Sequence, residues 1–80
     1  MNSTSKSNND EALIITLLEL PVVTVAAMIQ WVKDRVEDVA ISLIGQKLYI
    51  VADNITLQEL AGAFNRRFGM LTERYTIELP

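Results

Sequence analysis

The sequence predicts an α+β fold of the ferredoxin-like βαββαβ type, with two helices on one face of a four-stranded antiparallel sheet. Three observations predict it. Residue patterns follow the order strand, helix, strand, strand, helix, strand; the first strand is apolar on both faces; and 80 residues suit a single small domain. Because crossover connections are right-handed, the expected strand order is 4-1-3-2, with the first and third strands central.

The first strand is predicted at Leu13–Leu20, where both alternating sets of positions are mostly apolar, so that neither face suits water. Pro21 has no amide hydrogen to donate and ends this strand. The residues ahead of it, Met1–Asp10, are rich in Ser and Asn and are expected to form a disordered tail. The folded domain is therefore predicted at residues 11–80.

The first helix is predicted at Val25–Glu37, with Thr24 as its N-cap and Val23 in a hydrophobic staple. Apolar residues at helical spacing define the face that packs on the sheet. These residues are Val25, Met28, Ile29, Val32 and Val36.

A β-hairpin is predicted at Val39–Ile44 and Lys47–Ala52, because apolar residues alternate in both segments around Gly45 and Gln46. A two-residue loop with Gly at its first position is typical of tight hairpins.

The second helix is predicted at Leu57–Phe68. Thr56 and Glu59 match a capping box, and Ile55 is placed for the accompanying hydrophobic staple. Gly69 stands where a left-handed C-terminal cap is expected.

The last strand is predicted at Arg74–Leu79 and alternates cleanly, as expected of an edge strand with one solvated face. Glu19 falls near the end of the predicted central strand, where an unpaired carboxylate is costly. We therefore expect Glu19 to pair with Arg74 at the start of the neighbouring strand.

This fold leaves one face of the sheet uncovered, and the sequence makes that face apolar at its centre. Exposed apolar patches commonly mark interaction sites, so Ile44, Tyr49 and Val51 are candidate interaction residues. Trp31, at the margin of the first helix's apolar stripe, is either a half-buried lid or an interface anchor. Besides one set of side chains from the first strand, the uncovered face is expected to carry Ala40, Ser42, Ile44, Tyr49, Val51, Thr76 and Glu78.

The composition argues against enzymatic, metal-binding and membrane-spanning functions. The chain has no His and no Cys, which removes the usual general base and the usual zinc ligands. We expect no catalytic residue, no metal site and no cofactor. The longest mostly apolar run, Leu20–Val32, is shorter than the roughly 20 residues of a spanning helix. No signal peptide is visible at the polar N-terminus, so we expect a cytoplasmic protein.

Two alternatives remain open on these residues. Arg66, Arg67 and Arg74 form a candidate anion site, although complementation of the helix dipole also explains them. A small-ligand or anion-sensing domain would combine them with the Leu20–Thr24 loop. Tyr49 on the third strand is similar in position to the base-stacking aromatics of RNA-recognition modules. A net charge of −3 makes nucleic acid the least favoured partner.

The predicted element order is also similar to that of heavy-metal-associated domains, in which the loop after the first strand carries two cysteines. The corresponding stretch here, Leu20–Ala27, reads LPVVTVAA, so no metal-binding residue carries over. The resemblance is architectural alone, and fold does not fix function.

The function expected from the sequence is a non-enzymatic interaction or regulatory module. It self-associates, as a dimer, or docks on a larger protein through the uncovered sheet face. A hydrophobic fraction of 50% in so short a chain supports additional burial against a partner.

Overall fold

The computed structural model describes residues 10–80. Its elements are β1 (Asp10–Leu17), α1 (Val22–Arg35), β2 (Ala40–Ile44), β3 (Lys47–Asp53), α2 (Asn54–Arg67), a 3₁₀ helix (Gly69–Arg74) and β4 (Tyr75–Glu78). The four strands form one antiparallel sheet in the order β2-β3-β1-β4, which is the predicted order counted from the opposite edge. The predicted ferredoxin-like fold is confirmed.

The hydrophobic core lies between the two helices and one face of the sheet. The central strands and both helices contribute to it, because alternate strand residues and one stripe of each helix point inward. The largest fully buried side chains are Leu13, Ile15, Met28, Val32, Leu48, Ile50, Leu57 and Phe64.

β1 begins and ends three residues earlier than predicted. Leu18 is 39% exposed, and Glu19 has a φ of 57°, a left-handed conformation outside the range of a strand. The strand therefore ends at Leu17. Asp10, predicted to belong to the tail, is the first strand residue, whereas the rest of the predicted tail, residues 1–9, lies outside the described residues.

Glu19 consequently lies outside the sheet and is exposed. Nη1 of Arg74 donates a hydrogen bond to the backbone carbonyl of Glu19 at 3.2 Å. The predicted pair between the Glu19 carboxylate and Arg74 is therefore wrong, because Arg74 contacts the backbone of Glu19 and the exposed carboxylate stays in water.

α1 starts three residues earlier than predicted and ends two residues earlier. The Pro21 carbonyl accepts hydrogen bonds from the amides of Thr24 and Val25, both at 3.0 Å. Thr24 therefore lies inside the first turn, and its prediction as the N-cap is wrong. At the other end Val36 has an extended backbone, with φ −125° and ψ 121°, so the helix ends at Arg35.

α2 starts at Asn54, three residues before its predicted start. Its N-cap is Asp53, whose Oδ1 accepts a hydrogen bond from the Thr56 amide at 2.7 Å. Hydrogen bonds from the side chain and the amide of Thr56 hold the pKa of Asp53 below its ordinary value. The predicted capping box of Thr56 and Glu59 is therefore wrong. The predicted staple is also wrong, because Ile55 is 74% exposed.

The C-terminal end of α2 leads into a 3₁₀ helix that the sequence analysis did not predict. Gly69 does not adopt a left-handed φ, so the predicted glycine cap is wrong. Instead the amide of Phe68 donates to the Phe64 carbonyl at 2.8 Å, and the amide of Leu71 donates to the Phe68 carbonyl at 2.9 Å.

The predicted hairpin is present between β2 and β3. Ile44 pairs with Lys47, which leaves Gly45 and Gln46 as a two-residue turn. Gly45 has a φ of 61° and Gln46 does not have a positive φ, which is the sign pattern of a type II′ turn.

β4 lies within its predicted range but is shorter. Tyr75 is only 4% exposed, and its ring packs edge-on against Phe64 with centroids 5.1 Å apart. The Tyr75 hydroxyl donates a hydrogen bond to Oδ1 of Asn65 at 2.8 Å. Leu79, the last residue of the predicted strand, lies beyond the observed strand and is 45% exposed.

Candidate interaction surface

None of the residues that the structure describes covers the sheet face opposite the helices. Strand register places a row of side chains across the middle of this face. Tyr49 lies opposite Ser42 on one side and Ile14 on the other, and Ile14 lies opposite Glu78. This central row crosses all four strands.

Two further rows flank the central one. The row beside the hairpin turn lies on the same face because strand side chains repeat every second residue. We call the three rows together the open face. Its flanking residues are Ile44, Lys47, Thr16 and Thr76 on the turn side and Ala40, Val51 and Ala12 on the other side.

The open face is apolar at its centre and polar around it. Ile14, Tyr49 and Val51 are half-buried by their neighbours, and Ile44 at the edge is 65% exposed. An apolar patch with a polar rim is the usual anatomy of a protein interface. The polar residues around the patch are Thr16, Ser42, Lys47, Thr76 and Glu78.

Three of the four candidate interaction residues lie together on the open face, but Trp31 does not. Trp31 lies on α1, where its ring makes edge contacts with Phe64 at 5.8 Å and Phe68 at 5.7 Å between centroids. The guanidinium of Arg35 lies 5.2 Å from the centre of the Trp31 ring. The half-buried Trp31 thus covers the core from the helical side of the molecule.

The three arginines of the candidate anion site do not line one cavity. Arg66 lines an open cavity between the end of α1 and one side of α2, together with Arg35 and two glutamates. Arg74 lines a different cavity. The guanidinium of Arg67 lies over the ring of Phe68, 4.8 Å from its centre. An anion site formed by the three residues stays a prediction.

One end of the molecule exposes a group of apolar side chains that were not predicted to lie together. The β1–α1 loop, the hairpin turn and the 3₁₀ helix meet there, because β1 ends where β3 and β4 begin. An open cavity of about 240 Å³ at this end is lined by Leu17, Leu20, Val22 and Leu43 among others. The exposed large apolar residues at this end are Leu18, Val22, Val23, Leu43, Ile44 and Met70.

Other classes of site are not formed by the described residues. Within residues 10–80 there is no helix with the length and apolar character needed to span a membrane. In the same part of the chain, no three His, Cys, Asp or Glu side chains cluster in a way that could hold a metal ion.

No protein-family model, curated protein or solved structure matches this chain.

Proposed function

We propose that the protein is a non-enzymatic, cytoplasmic interaction module, with a regulatory role, that self-associates through the open face. The observation that supports this proposal is the apolar centre formed by Ile14, Tyr49 and Val51, over which no described helix or loop lies. Burying apolar surface stabilises a complex by about 25 cal/mol per Å². In a single copy this centre remains in contact with water.

The charges on the open face favour a second copy as the partner. The face carries Lys47 on β3 and Glu78 on β4, which lie in different rows. The strands are about 4.8 Å apart, and side chains on one face repeat about every 6.8 Å along each strand. When two copies stack with their open faces together and their strands crossing at about 90°, Lys47 of each copy lies opposite Glu78 of the other. Lys47 and Glu78 are therefore complementary between two copies, whereas Asp10 and Asp53, one row beyond Ala12 and Val51 on the same side of the sheet, add two negative charges per copy.

The size of the open face sets the expected strength of this contact. Four strands and about five residues along each give roughly 300–400 Å² of surface per copy. A standard stable interface buries about 800 Å² per partner. Face-to-face association by the open face alone is therefore expected to be weak and dependent on concentration.

The experiment that tests the proposal measures the mass of the protein by light scattering over a range of concentrations. The wild-type mass is expected to rise with concentration. Val51→Lys is expected to weaken association at least about tenfold, because it places a charge in the apolar centre. Ile55→Lys is the matched control, since it adds the same charge at a position 74% exposed and outside the open face.

Circular dichroism of each variant checks that a change in mass does not arise from unfolding. Tyr49→Lys provides a second substitution in the central row. A wild-type protein that stays monomeric at every concentration contradicts the proposal, as does a Val51→Lys variant that associates as strongly as the Ile55→Lys control.

A charge exchange tests the arrangement of the two copies. Lys47→Glu places two negative charges opposite each other in the crossed arrangement and is expected to weaken association. Adding Glu78→Lys restores opposite charges and is expected to restore association. Because both positions lie at the rim, the expected change is only about threefold to tenfold, and it should diminish at high salt.

A second candidate function, anion or small-ligand sensing, is favoured by one specific observation. Leu20, Pro21 and Thr24 line the same cavity as Arg74, and the volume of this cavity is about 590 Å³. That volume is within the range of small-molecule sites. Glu73 also lines this cavity and opposes anion binding there.

This second function predicts an upward shift of the melting temperature with inorganic phosphate, and loss of the shift in Arg74→Gln. Equal shifts in both proteins would contradict it. Nucleic acid is the least favoured partner, since among the described residues the open face has one aromatic ring, Tyr49, and one cation, Lys47.

A further inference from the structure

β2 is an edge strand without the features that usually protect an edge. It lies at one end of the strand order, and among the described residues it pairs only with β3. Its sequence, Ala-Ile-Ser-Leu-Ile, contains no charged residue and no proline, and its register with β3 has no bulge. Natural proteins normally use charges, prolines or bulges to keep an exposed edge from pairing with another strand.

The hydrogen-bond pattern identifies which backbone groups of β2 face outward. The Leu17 amide donates to the Gln46 carbonyl at 2.7 Å, so Gln46 directs its backbone toward β1. Successive residues of a strand direct their backbone amide and carbonyl groups to opposite sides. The amides and carbonyls of Lys47 and Tyr49 therefore point toward β2. Their partners Ile44 and Ser42 are therefore the residues of β2 that hydrogen-bond to β3.

The intervening residues, Ile41 and Leu43, direct their amides and carbonyls away from the sheet. These two residues thus present two donors and two acceptors along the outer side of β2. Their side chains lie on the helical side of the sheet, and Leu43 is nevertheless 48% exposed. The apolar cavity beside Leu43 and Val22 shows that α1 does not cover this edge completely.

We propose that β2 pairs with β2 of a second copy in antiparallel orientation about a two-fold axis at Ser42. The outward groups of Ile41 then bond to those of Leu43 in the other copy, and the reverse, which gives four backbone hydrogen bonds. Ala40 lies opposite Ile44, and the two Ser42 hydroxyls lie opposite each other within reach of a hydrogen bond. No like charges meet, because β2 has none.

This pairing joins two four-stranded sheets into one of eight strands. The two-fold axis is perpendicular to the sheet, so both open faces lie on the same side. The joined face measures roughly 700 Å², close to the area per partner of a standard interface. β2 pairing therefore does not depend on the proposed function, but it enlarges the surface on which that function rests.

Amide hydrogen exchange measured by NMR at low and high protein concentration tests the pairing directly. The amides of Ser42 and Ile44 are expected to be protected at both concentrations, because they bond to β3. Those of Ile41 and Leu43 are expected to exchange quickly in the dilute sample and at least tenfold more slowly in the concentrated one. Equal exchange of Ile41 and Leu43 at both concentrations would overturn the proposal.

Proline substitutions give an independent test by sedimentation equilibrium. Leu43→Pro removes an outward amide, which an edge strand tolerates, and is expected to weaken dimer formation more than tenfold while the monomer stays folded. Leu43→Ala, which keeps the amide, is expected to dimerise more strongly than Leu43→Pro. Ser42→Pro removes a hydrogen bond to β3 and is expected to lower the melting temperature instead.

The same measurements separate this proposal from the proposed function. If β2 pairs as described, Val51→Lys remains a dimer and only larger assemblies are lost. If the open face is the sole interface, Val51→Lys becomes monomeric and Leu43→Pro associates as the wild type does, which overturns the pairing of β2. If Val51→Lys has no effect and Leu43→Pro is monomeric, the pairing stands and the proposed function fails.

Discussion

The two edges of this sheet differ in how they are protected. β4 is four residues long, follows Arg74, contains Glu78 and is followed closely by Pro80. β2 is five residues long and has neither charge nor proline. Charges and proline discourage the addition of another strand, so the same sheet closes one edge and leaves the other available.

The two edges also differ in how they are anchored to the core. On β4, Tyr75 is buried, packs against Phe64 and bonds to Asn65. On β2, four of the five residues are exposed and only Ile41 is half-buried. The difference indicates that β4 contributes to the stability of the single copy, whereas β2 is better placed to contribute to association.

The largest expected effect is the difference between truncating the two edges. Tyr75→Ala removes a buried aromatic ring and is expected to lower the free energy of unfolding by about 3–5 kcal/mol. Leu43→Ala removes a half-exposed side chain and is expected to cost about 1 kcal/mol or less in the monomer. Urea denaturation of dilute samples measures both values. Similar losses at the two edges would contradict the difference in anchoring.

A smaller effect is expected from substitution of two glycines, Gly45 in the hairpin turn after β2 and Gly69 at the start of the 3₁₀ helix before β4. Gly45→Ala places a side chain at a φ of 61° with no atom within 4 Å of the new Cβ, so only backbone strain of about 1–2 kcal/mol is expected. Gly69→Ala, before β4, also meets open space but has no left-handed φ. It is expected to be neutral or to stabilise by up to about 1 kcal/mol. Thermal unfolding of the two variants compares them, and a loss at Gly69 equal to that at Gly45 would show that strain is not the cause.

The sequence predicted the fold well because each strand and helix has a strong apolar period. β1 is apolar on both faces, which predicts its central position, and Gly45 in a two-residue turn fixes the register of β2 against β3. That register also fixes which side chains share a face. For this reason Ile44, Tyr49 and Val51 were predicted to lie together, as the structure shows.

The helix starts were not predictable with the same accuracy. Asp53 and Thr56 are both good N-cap residues, and they are three positions apart. The choice depends on where β3 ends, and β3 continues to Asp53 because that residue still pairs with Asp10 of β1. α1 begins on the Pro21 carbonyl, a backbone group that no side-chain pattern reveals.

The candidate surface was predictable only in part, for a related reason. Trp is a residue type that often anchors interfaces, but the position of Trp31 over Phe64 and Phe68 depends on how α1 packs beside α2. Which backbone amides and carbonyls of β2 point outward depends on the strand order and on which residues of β2 hydrogen-bond to β3. The sequence does show that Ala40–Ile44 lacks charge, but this indicates an unprotected edge only once β2 is known to be an edge strand.

The smallest expected difference between the two edges comes from the loss of one hydroxyl on β4. Tyr75→Phe keeps the ring against Phe64 and removes the hydrogen bond to Asn65, so it is expected to lower the free energy of unfolding by about 1 kcal/mol at neutral pH. β2 has no titratable side chain, so no corresponding pH effect is expected at that edge.

The pH dependence of the same variant sharpens the comparison of the two edges. Burial raises the pKa of Tyr75 above its ordinary value of 10.0. A group with a raised folded pKa stabilises the fold fully below its unfolded pKa, and that contribution is lost as the pH rises through the folded pKa. Between about pH 8 and about pH 11, wild type should therefore lose more stability than Tyr75→Phe in urea denaturation, because the two proteins differ only in the ionisable hydroxyl of Tyr75. Equal losses would mean that ionisation of Tyr75 does not govern the anchoring of β4.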